Sequence, residues 1–162
     1  MTIDRVVVNA SPLICLFKSG FHDLLPALFR DISVPEAVFS EVTASGKKDF
    51  PSEHLAKQQW LNKETKIPID LRVAVWNLGR GESEVISFAL LNPSYRAVLD
   101  DREARRCAET VGCKCIGSAG ILVLARRRNL LPSLREAFAK LSNSGIWLSR
   151  ELTEELCRLE GE

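Results

Sequence analysis

The chain has 162 residues, of which 46% are hydrophobic and 27% charged, and its formal net charge at pH 7 is +1. This length and composition are typical of a globular protein, so we predict a single domain over residues 1–162. So small a net charge provides no overall field for nucleic acid or membranes, and nucleic-acid binding would need a local patch. No apolar run is long enough to span a membrane and the N-terminus lacks a signal-peptide pattern, so we expect a cytoplasmic protein without a membrane partner.

Short β-branched runs alternate with helical patterns along the chain. Strands are predicted at residues 5–8, 32–34, 97–99 and 114–116, with a late strand at 146–148 and at most an edge strand at 67–69. Helices are predicted at residues 12–17, 23–29, 35–42, 52–60, 70–78, 82–91, 102–111, 119–128, 134–141 and 150–159. Strands that alternate with helices predict an α/β fold, with a small parallel sheet covered on both faces.

The cysteines are predicted to be reduced thiols. They are odd in number and no export signal precedes them. Cys107, Cys113 and Cys115 lack the paired two-residue spacing of zinc sites, and both histidines are distant in sequence. We therefore expect buried or half-buried thiols in preference to a zinc cluster.

Acidic and amide side chains follow the predicted strands or open the next helices. These residues are Asn9, Glu41, Glu82, Glu84, Asp100 and Asp101. Side chains just past the carboxyl ends of parallel strands meet in one crevice of an open sheet. Carboxylates gathered there repel each other unless a hard cation such as Mg²⁺ or Mn²⁺ lies among them. The pattern predicts metal-dependent phosphodiester chemistry.

Each of these acids also has a structural explanation. Glu82 and Glu84 lie in the first turn of a helix, where the helix dipole stabilises a carboxylate by about 0.3–1 kcal/mol. Asp100 and Asp101 could cap the next helix, and Glu41 could lie on a solvated helix face. The joint pattern favours a site, because all of these positions meet at the same edge of the sheet.

Five segments carry a resemblance to a known family. They are VNASPLI at residues 8–14, VPEAV at 34–38 followed by EV at 41–42, GESEVI at 81–86, LDDREARR at 99–106 and GSAGIL at 117–122. In this order and spacing, over about residues 6–131, the chain resembles the PIN-domain superfamily. These small metal-dependent nucleases include the VapC-type toxins, and the chain is most similar to a PIN-like branch of the superfamily.

The resemblance implies a three-layer α/β/α sandwich with a small parallel central sheet, whose acids bind one or two Mg²⁺ or Mn²⁺ ions. Carried over by position, the catalytic residues are Asn9, Glu41, Glu82 or Glu84, and Asp100 or Asp101, with Ser11 and Ser118 as polar neighbours. The metal ligands expected from it are Asn9, Glu41, Glu82 and Asp100. Helical register favours Glu82 over Glu84, because residues 86 and 89 follow Glu82 at core spacing.

Asn9 departs from the family, whose nuclease members generally carry Asp at this position. An amide oxygen can bind a hard cation but supplies no charge. We therefore expect weaker metal binding and less neutralisation of the phosphate charge. The substitution bears on catalysis more than on the fold.

The resemblance implies a metal-dependent ribonuclease, the toxin of a VapBC-like pair, with RNA and a cognate antitoxin protein as partners and a homodimer as its assembly. Arg102, Arg105, Arg106 and the run at residues 126–128 could hold phosphates or line a solvated helix face. The alternative is a PIN-like binding or regulatory module without nuclease activity, for which Asn9 is the clue.

Two other functions are disfavoured. A nucleotide-binding Rossmann-type enzyme would need G-x-G-x-x-G spacing, which the turn at residues 117–120 lacks. A phosphotransferase would need an aspartate where Asn9 stands. Trp60, Trp76 and Trp147 fit core or dimer packing better than a platform for stacked bases.

Overall fold

A five-stranded parallel sheet forms the centre of the protein. A computed structural model describes residues 2–44 and 48–162, and within these residues the strand order is β3-β2-β1-β4-β5. The strands are β1 (Arg5–Val8), β2 (Asp31–Pro35), β3 (Leu61–Glu64), β4 (Arg96–Val98) and β5 (Cys115–Ile116). The predicted α/β fold with a parallel sheet is confirmed.

Helices flank this sheet in a three-layer α/β/α sandwich, because parallel strands need crossover connections. They are α1 (Ala10–Lys18), α2 (Leu24–Leu28), α3 (Glu36–Val42), α4 (Phe50–His54), α5 (Leu71–Ala74), α6 (Arg80–Leu91), α7 (Arg102–Thr110), α8 (Ser118–Arg127), α9 (Leu134–Asn143) and α10 (Arg150–Leu159), with a 3-10 turn at Leu55–Lys57. No helix in the described part of the chain combines the length and apolar character needed to cross a membrane.

The central strands β1 and β4 form the middle of the core. Val6, Val7 and Val8 have no exposed surface, and neither do Ala97 and Val98 opposite them. The sequences of such strands are continuous apolar runs because helices cover both faces of the sheet. The predicted adjacency of these two strands is confirmed by their direct pairing.

The edge of the sheet differs from the prediction. The edge strand expected at residues 67–69 is wrong, because β3 lies earlier, at Leu61–Glu64, and pairs with β2. Lys66 has a φ of 55°, which ends the extended conformation, and Pro68 has no N–H to donate to a ladder. The hydroxyl of Ser33 donates a hydrogen bond to Glu64 Oε1 at 2.9 Å, which ties the edge strand to β2.

Two predicted helices are also shorter than expected. The helix predicted over residues 52–60 is wrong beyond α4, which gives way to the 3-10 turn and then to β3. The helix predicted over residues 70–78 ends at Ala74, and Asn77 has a φ of 53°, a conformation that a helix cannot contain. In contrast, α6 begins at Arg80, two residues earlier than predicted.

The late strand predicted at residues 146–148 is wrong. These residues have no sheet partner in the part of the chain that the structure describes. Trp147 is 84% exposed, which excludes the core alternative of the core or dimer packing predicted for it. The thiol prediction is confirmed, because Cys115 is half-buried and the other four cysteines are buried.

A carboxylate clamp fixes the last helix against α8 and α9. Glu162 accepts hydrogen bonds from the backbone N–H groups of Leu134 at 2.6 Å and Arg135 at 3.1 Å. It also accepts from the hydroxyl of Ser133 and from Arg126 Nε. The two backbone hydrogen bonds are the main reason that the pKa of Glu162 falls to about 2. The carboxylate satisfies otherwise unpaired donors at the start of α9.

Candidate functional site

The candidate site lies at the carboxyl edge of the sheet, where the strand order reverses. From β1 the chain adds β2 and β3 on one side and then returns to add β4 and β5 on the other. Ligand crevices of open α/β sheets form at this switch point, outside the strand ends. Asn9 directly follows β1, and its N–H donates to the carbonyl oxygen of Val98 at 3.1 Å. Asp100 and Asp101 follow β4 after one residue.

Asn9 opens onto a small polar cavity of about 210 Å³. Its lining residues are Asn9, Ser11, Glu41, Gly79, Gly81 and Glu82. A Cβ atom on Gly81 would lie 3.1 Å from Val38 Cγ2 and 3.5 Å from Asn9 Oδ1. The missing side chain at position 81 therefore lets the start of α6 approach the Asn9 amide closely. This close approach at Gly81 is a tertiary contact that its place in the sequence did not predict.

Glu82 places a carboxylate in this cavity from the first turn of α6. Its Oε2 accepts a hydrogen bond from the backbone N–H of Gly79 at 3.2 Å. Burial raises the pKa of Glu82 above its ordinary value, the charges of Asp101 and Glu41 raise it further, and the Gly79 hydrogen bond lowers it. The charges of Asp101 and Glu41 thus act against the ionised form of Glu82 at the switch point.

These oxygen donors fit a hard divalent cation, although they do not form a ready-made cage. Within residues 2–44 and 48–162, no three acidic, histidine or cysteine side chains are grouped closely enough to hold an ion by themselves. Mg²⁺ commonly uses one or two protein carboxylates and keeps several of its waters. The donors of that kind are the carboxylates of Glu41, Glu82 and Asp101 and the amide oxygen of Asn9. A cation among them would relieve the repulsion that contributes to the raised pKa of Glu82.

Asp100 has a different environment from Asp101. Its Oδ1 accepts from the N–H of Ser118 at 2.8 Å and its Oδ2 from the Ser118 hydroxyl at 2.5 Å. Burial raises the pKa of Asp100, while these two hydrogen bonds and the charge of Arg105 lower it. Asp100 lines a neighbouring cavity with Arg102 and Arg105, whereas Asp101 caps α7 through the N–H of Ala104 at 3.0 Å. The expected ligand Asp100 therefore anchors the start of α8, and the Asp101 charge acts on Glu82.

Glu84 is a link between two helices. It is 6% exposed, its Oε1 accepts from Arg80 Nε at 3.2 Å, and its Oε2 accepts from the N–H of Ala37 at 3.3 Å. Both oxygens therefore have partners, and the side chain joins α6 to the start of α3. The structure places Glu82, and not Glu84, in the Asn9 cavity. The i, i+4 spacing of Arg80 and Glu84 was the sequence signal for this ion pair.

Comparison with known proteins identifies the family. A family model described as a PIN domain matches residues 5–162. The chain belongs to the PIN-domain family. The resemblance read from the sequence is thereby confirmed for the family, whose nuclease-type fold is generally divalent-metal dependent. No curated protein matches the chain.

The arginines predicted to hold phosphates fall into two groups, one on α7 and one at residues 126–128. On α7, Arg102 forms no ion pair within the described residues, and Arg106 makes an exposed pair with Glu103 at 3.4 Å. The run at residues 126–128 is engaged internally: Arg126 and Arg127 pair with acids that follow α10, and Arg128 donates to the Leu28 carbonyl oxygen at 3.0 Å. Of these two groups, the one on α7 is the nearer to the candidate site, since Arg102 and Arg105 line a cavity with Asp100.

Proposed function

We propose that this PIN domain is a Mg²⁺- or Mn²⁺-dependent endoribonuclease that cleaves single-stranded or structured RNA. The observation that supports this proposal is the position of the half-buried Glu82 carboxylate, which lines one small polar cavity with Glu41 and the buried amide of Asn9 and lies within the influence of the Asp101 charge. A carboxylate that is partly buried and close to other negative charges costs stability, so this grouping at a switch point is better explained by a cation and a phosphate than by the fold alone.

In this proposal the chain's own residues divide the work. Asn9, Glu41, Glu82 and Asp101 would hold the ion, which when bound supplies a nucleophilic water and stabilises the charge developing on the phosphate. Asp100 acts indirectly, by fixing the start of α8 through Ser118. Because the pKa of Glu82 is raised, a proton competes with the cation for this carboxylate at acidic pH.

We further propose that the protein is the toxin of a VapBC-like pair, with a cognate antitoxin protein and a second copy of the chain as partners. Support for a protein partner comes from the segment around α5, where Leu71 is 83% and Val75 80% exposed. Adjacent exposed apolar side chains of this kind mark protein contact surfaces. A small DNA-binding protein encoded next to this gene, able to abolish cleavage when added, would be the expected antitoxin.

The second candidate function is a PIN-like binding or regulatory module without nuclease activity. Asn9 favours it, because replacing a carboxylate with an amide weakens the hold on a cation. The number of donors already in use favours it too, since both oxygens of Asp100 and both of Glu84 have protein partners.

A cleavage assay separates the two candidates. We expect the full chain to cut a labelled single-stranded RNA in Mn²⁺, and to lose that activity when EDTA removes the metal. RNA that is bound but left intact with both Mg²⁺ and Mn²⁺ would support the binding module and contradict the nuclease. A preparation carrying Asp101→Asn controls for contaminating ribonucleases, because a contaminant's activity would persist in it.

A further inference from the structure

A second and larger cavity adjoins the candidate site on the β5 side. It measures about 450 Å³, within the range of small-molecule pockets. Arg102 and Arg105 line it together with Asp100, the immediate neighbour of the site residue Asp101. Trp147 and Leu148 lie among its apolar lining residues. The cavity therefore lies next to the candidate site in the chain, and its lining combines an apolar wall and an aromatic residue with two arginines and one aspartate.

We propose that this cavity is a nucleotide subsite for the RNA substrate, in which a base stacks on Trp147 and the adjoining phosphate binds Arg102. The subsite rests on the proposed function, since it assigns a place for the RNA next to the cleaved bond. It also assigns a role to Trp147 that packing does not supply.

The exposure of Trp147 is the first support for the subsite. The residue is 84% exposed and belongs to a segment without sheet partners in the described part of the chain. Its indole is therefore free to present a flat face, on which bases stack whatever their identity. A tryptophan so placed contributes little to the core.

The two arginines are the second support. The side chain of Arg102 makes no hydrogen bond or ion pair within residues 2–44 and 48–162, so its guanidinium is available to a phosphate. Arg105 is held in position, because its Nη1 donates to the Leu99 carbonyl oxygen at 3.4 Å. A Cβ atom on Gly117 would lie 2.6 Å from that Nη1, so the glycine leaves the room that the guanidinium occupies. The Arg102 guanidinium is thus available and the Arg105 guanidinium is fixed, and both residues line the cavity together with Asp100.

A nucleotide suits this lining better than a protein segment does. An apolar peptide segment could cover the aliphatic wall made by residues such as Leu148 and Leu152, but it would leave Arg102 without a counter-charge, and an acidic side chain would offer no aromatic face to Trp147. A nucleotide provides an aromatic face for Trp147 and an anion for Arg102 at the same time. The charge complementarity therefore favours RNA.

The test is RNA binding measured without cleavage, by fluorescence anisotropy of a labelled single-stranded RNA with the full chain in EDTA. We expect Trp147→Ala to weaken binding by about tenfold, the effect of losing one base stack, and Trp147→Phe to restore most of it. Arg102→Gln should weaken binding and reduce its salt dependence. Leu91→Ala is the matched control, because it removes an exposed apolar side chain at the far end of α6 and should leave the affinity unchanged.

Two further readouts locate the contact. An RNA with an abasic site should bind wild type more weakly and be insensitive to Trp147→Ala. Bound RNA should also slow alkylation of Cys115, the half-buried thiol that lines the cavity. The subsite is overturned if folded Trp147→Ala binds RNA as tightly as wild type, or if wild type binds no RNA. It is also overturned if Trp147→Ala weakens the binding of a partner protein and leaves RNA binding unchanged. None of these binding measurements depends on Mn²⁺, so they test the subsite alone. The proposed nuclease activity is tested separately, in the cleavage assay.

Discussion

Glu82→Gln should reduce Mn²⁺-dependent RNA cleavage by at least about a hundredfold while making the folded protein more stable. Activity falls because the variant loses a charged metal donor from the Asn9 cavity. Stability rises because the neutral amide avoids both the cost of burying a charge and the repulsion from Asp101 and Glu41, which together raise the pKa of Glu82. A gain of about 1 kcal/mol would raise Tm by about 2–4 °C in a chain of this size. Single-turnover cleavage and thermal unfolding measure the two effects on the same preparation.

Glu84→Gln is the matched control, since it makes the same chemical change two residues away. The buried Glu84 carboxylate accepts from Arg80 and from the N–H of Ala37, so its neutralisation should lower Tm. If Glu82→Gln melts lower than wild type, Glu82 is a structural cap and its proposed role as a metal donor is wrong.

The stability of the wild type relative to Glu82→Gln should also depend on pH. The folded pKa of Glu82 lies above its ordinary value of 4.5, so the native state binds this proton more tightly than the unfolded chain does. The wild type should therefore lose stability relative to the variant as the pH rises from about 4.5 through the raised pKa. Mn²⁺ should reduce that loss above the raised pKa. An identical pH dependence of the two proteins would contradict the account.

Asn9→Asp should tighten Mn²⁺ binding and increase the rate of RNA cleavage. The change adds a negative charge to a cavity that already holds Glu82 and Glu41, and hard-cation affinity follows ligand charge. Because Asn9 is 4% exposed, the added carboxylate should destabilise the metal-free protein and raise the pKa of Glu82 further. We expect about a tenfold gain in Mn²⁺ affinity, measured by calorimetry.

Ser11→Asp serves as the control for position, because it adds a charge at another residue lining the same cavity. It should improve Mn²⁺ binding less than Asn9→Asp, which restores the carboxylate that nuclease members generally carry. Equal Mn²⁺ affinities for wild type and Asn9→Asp would place residue 9 outside the metal shell.

The central sheet could be predicted from the sequence, whereas its edge could not. The valines of β1 form a continuous apolar run, which is typical of a strand that helices cover on both faces. In β3 two of the four residues are exposed and polar, so the strand has no apolar signal and depends on its pairing with β2. The segment at residues 146–148 shows the converse, since an apolar run with a β-branched residue was not sufficient for a strand without a sheet edge to accept it.

At the candidate site, helical register favoured Glu82 over Glu84, but the sequence did not separate Asp100 from Asp101. Glu82 and Glu84 differ by about 200° around a helix, so the core spacing of the residues that follow indicated that they face different sides of α6, and Glu82 is the one that lines the Asn9 cavity. The contacts of Asp100 and Asp101 differ, because Asp100 accepts two hydrogen bonds from Ser118 whereas Asp101 caps the start of α7. These are tertiary contacts, which spacing along the chain does not reveal.

The most direct test of the metal site is to locate Mn²⁺ on the protein by paramagnetic broadening of backbone amide NMR signals. Substoichiometric Mn²⁺ should first broaden the signals of Asn9, Gly81, Glu82 and Asp101, which surround the proposed site. Signals of the α9 residues, on an element that contributes no proposed ligand, should stay sharp, and Mg²⁺ in excess should reverse the effect. Broadening centred elsewhere, or no selective broadening at any Mn²⁺ concentration that leaves the protein folded, would contradict the account.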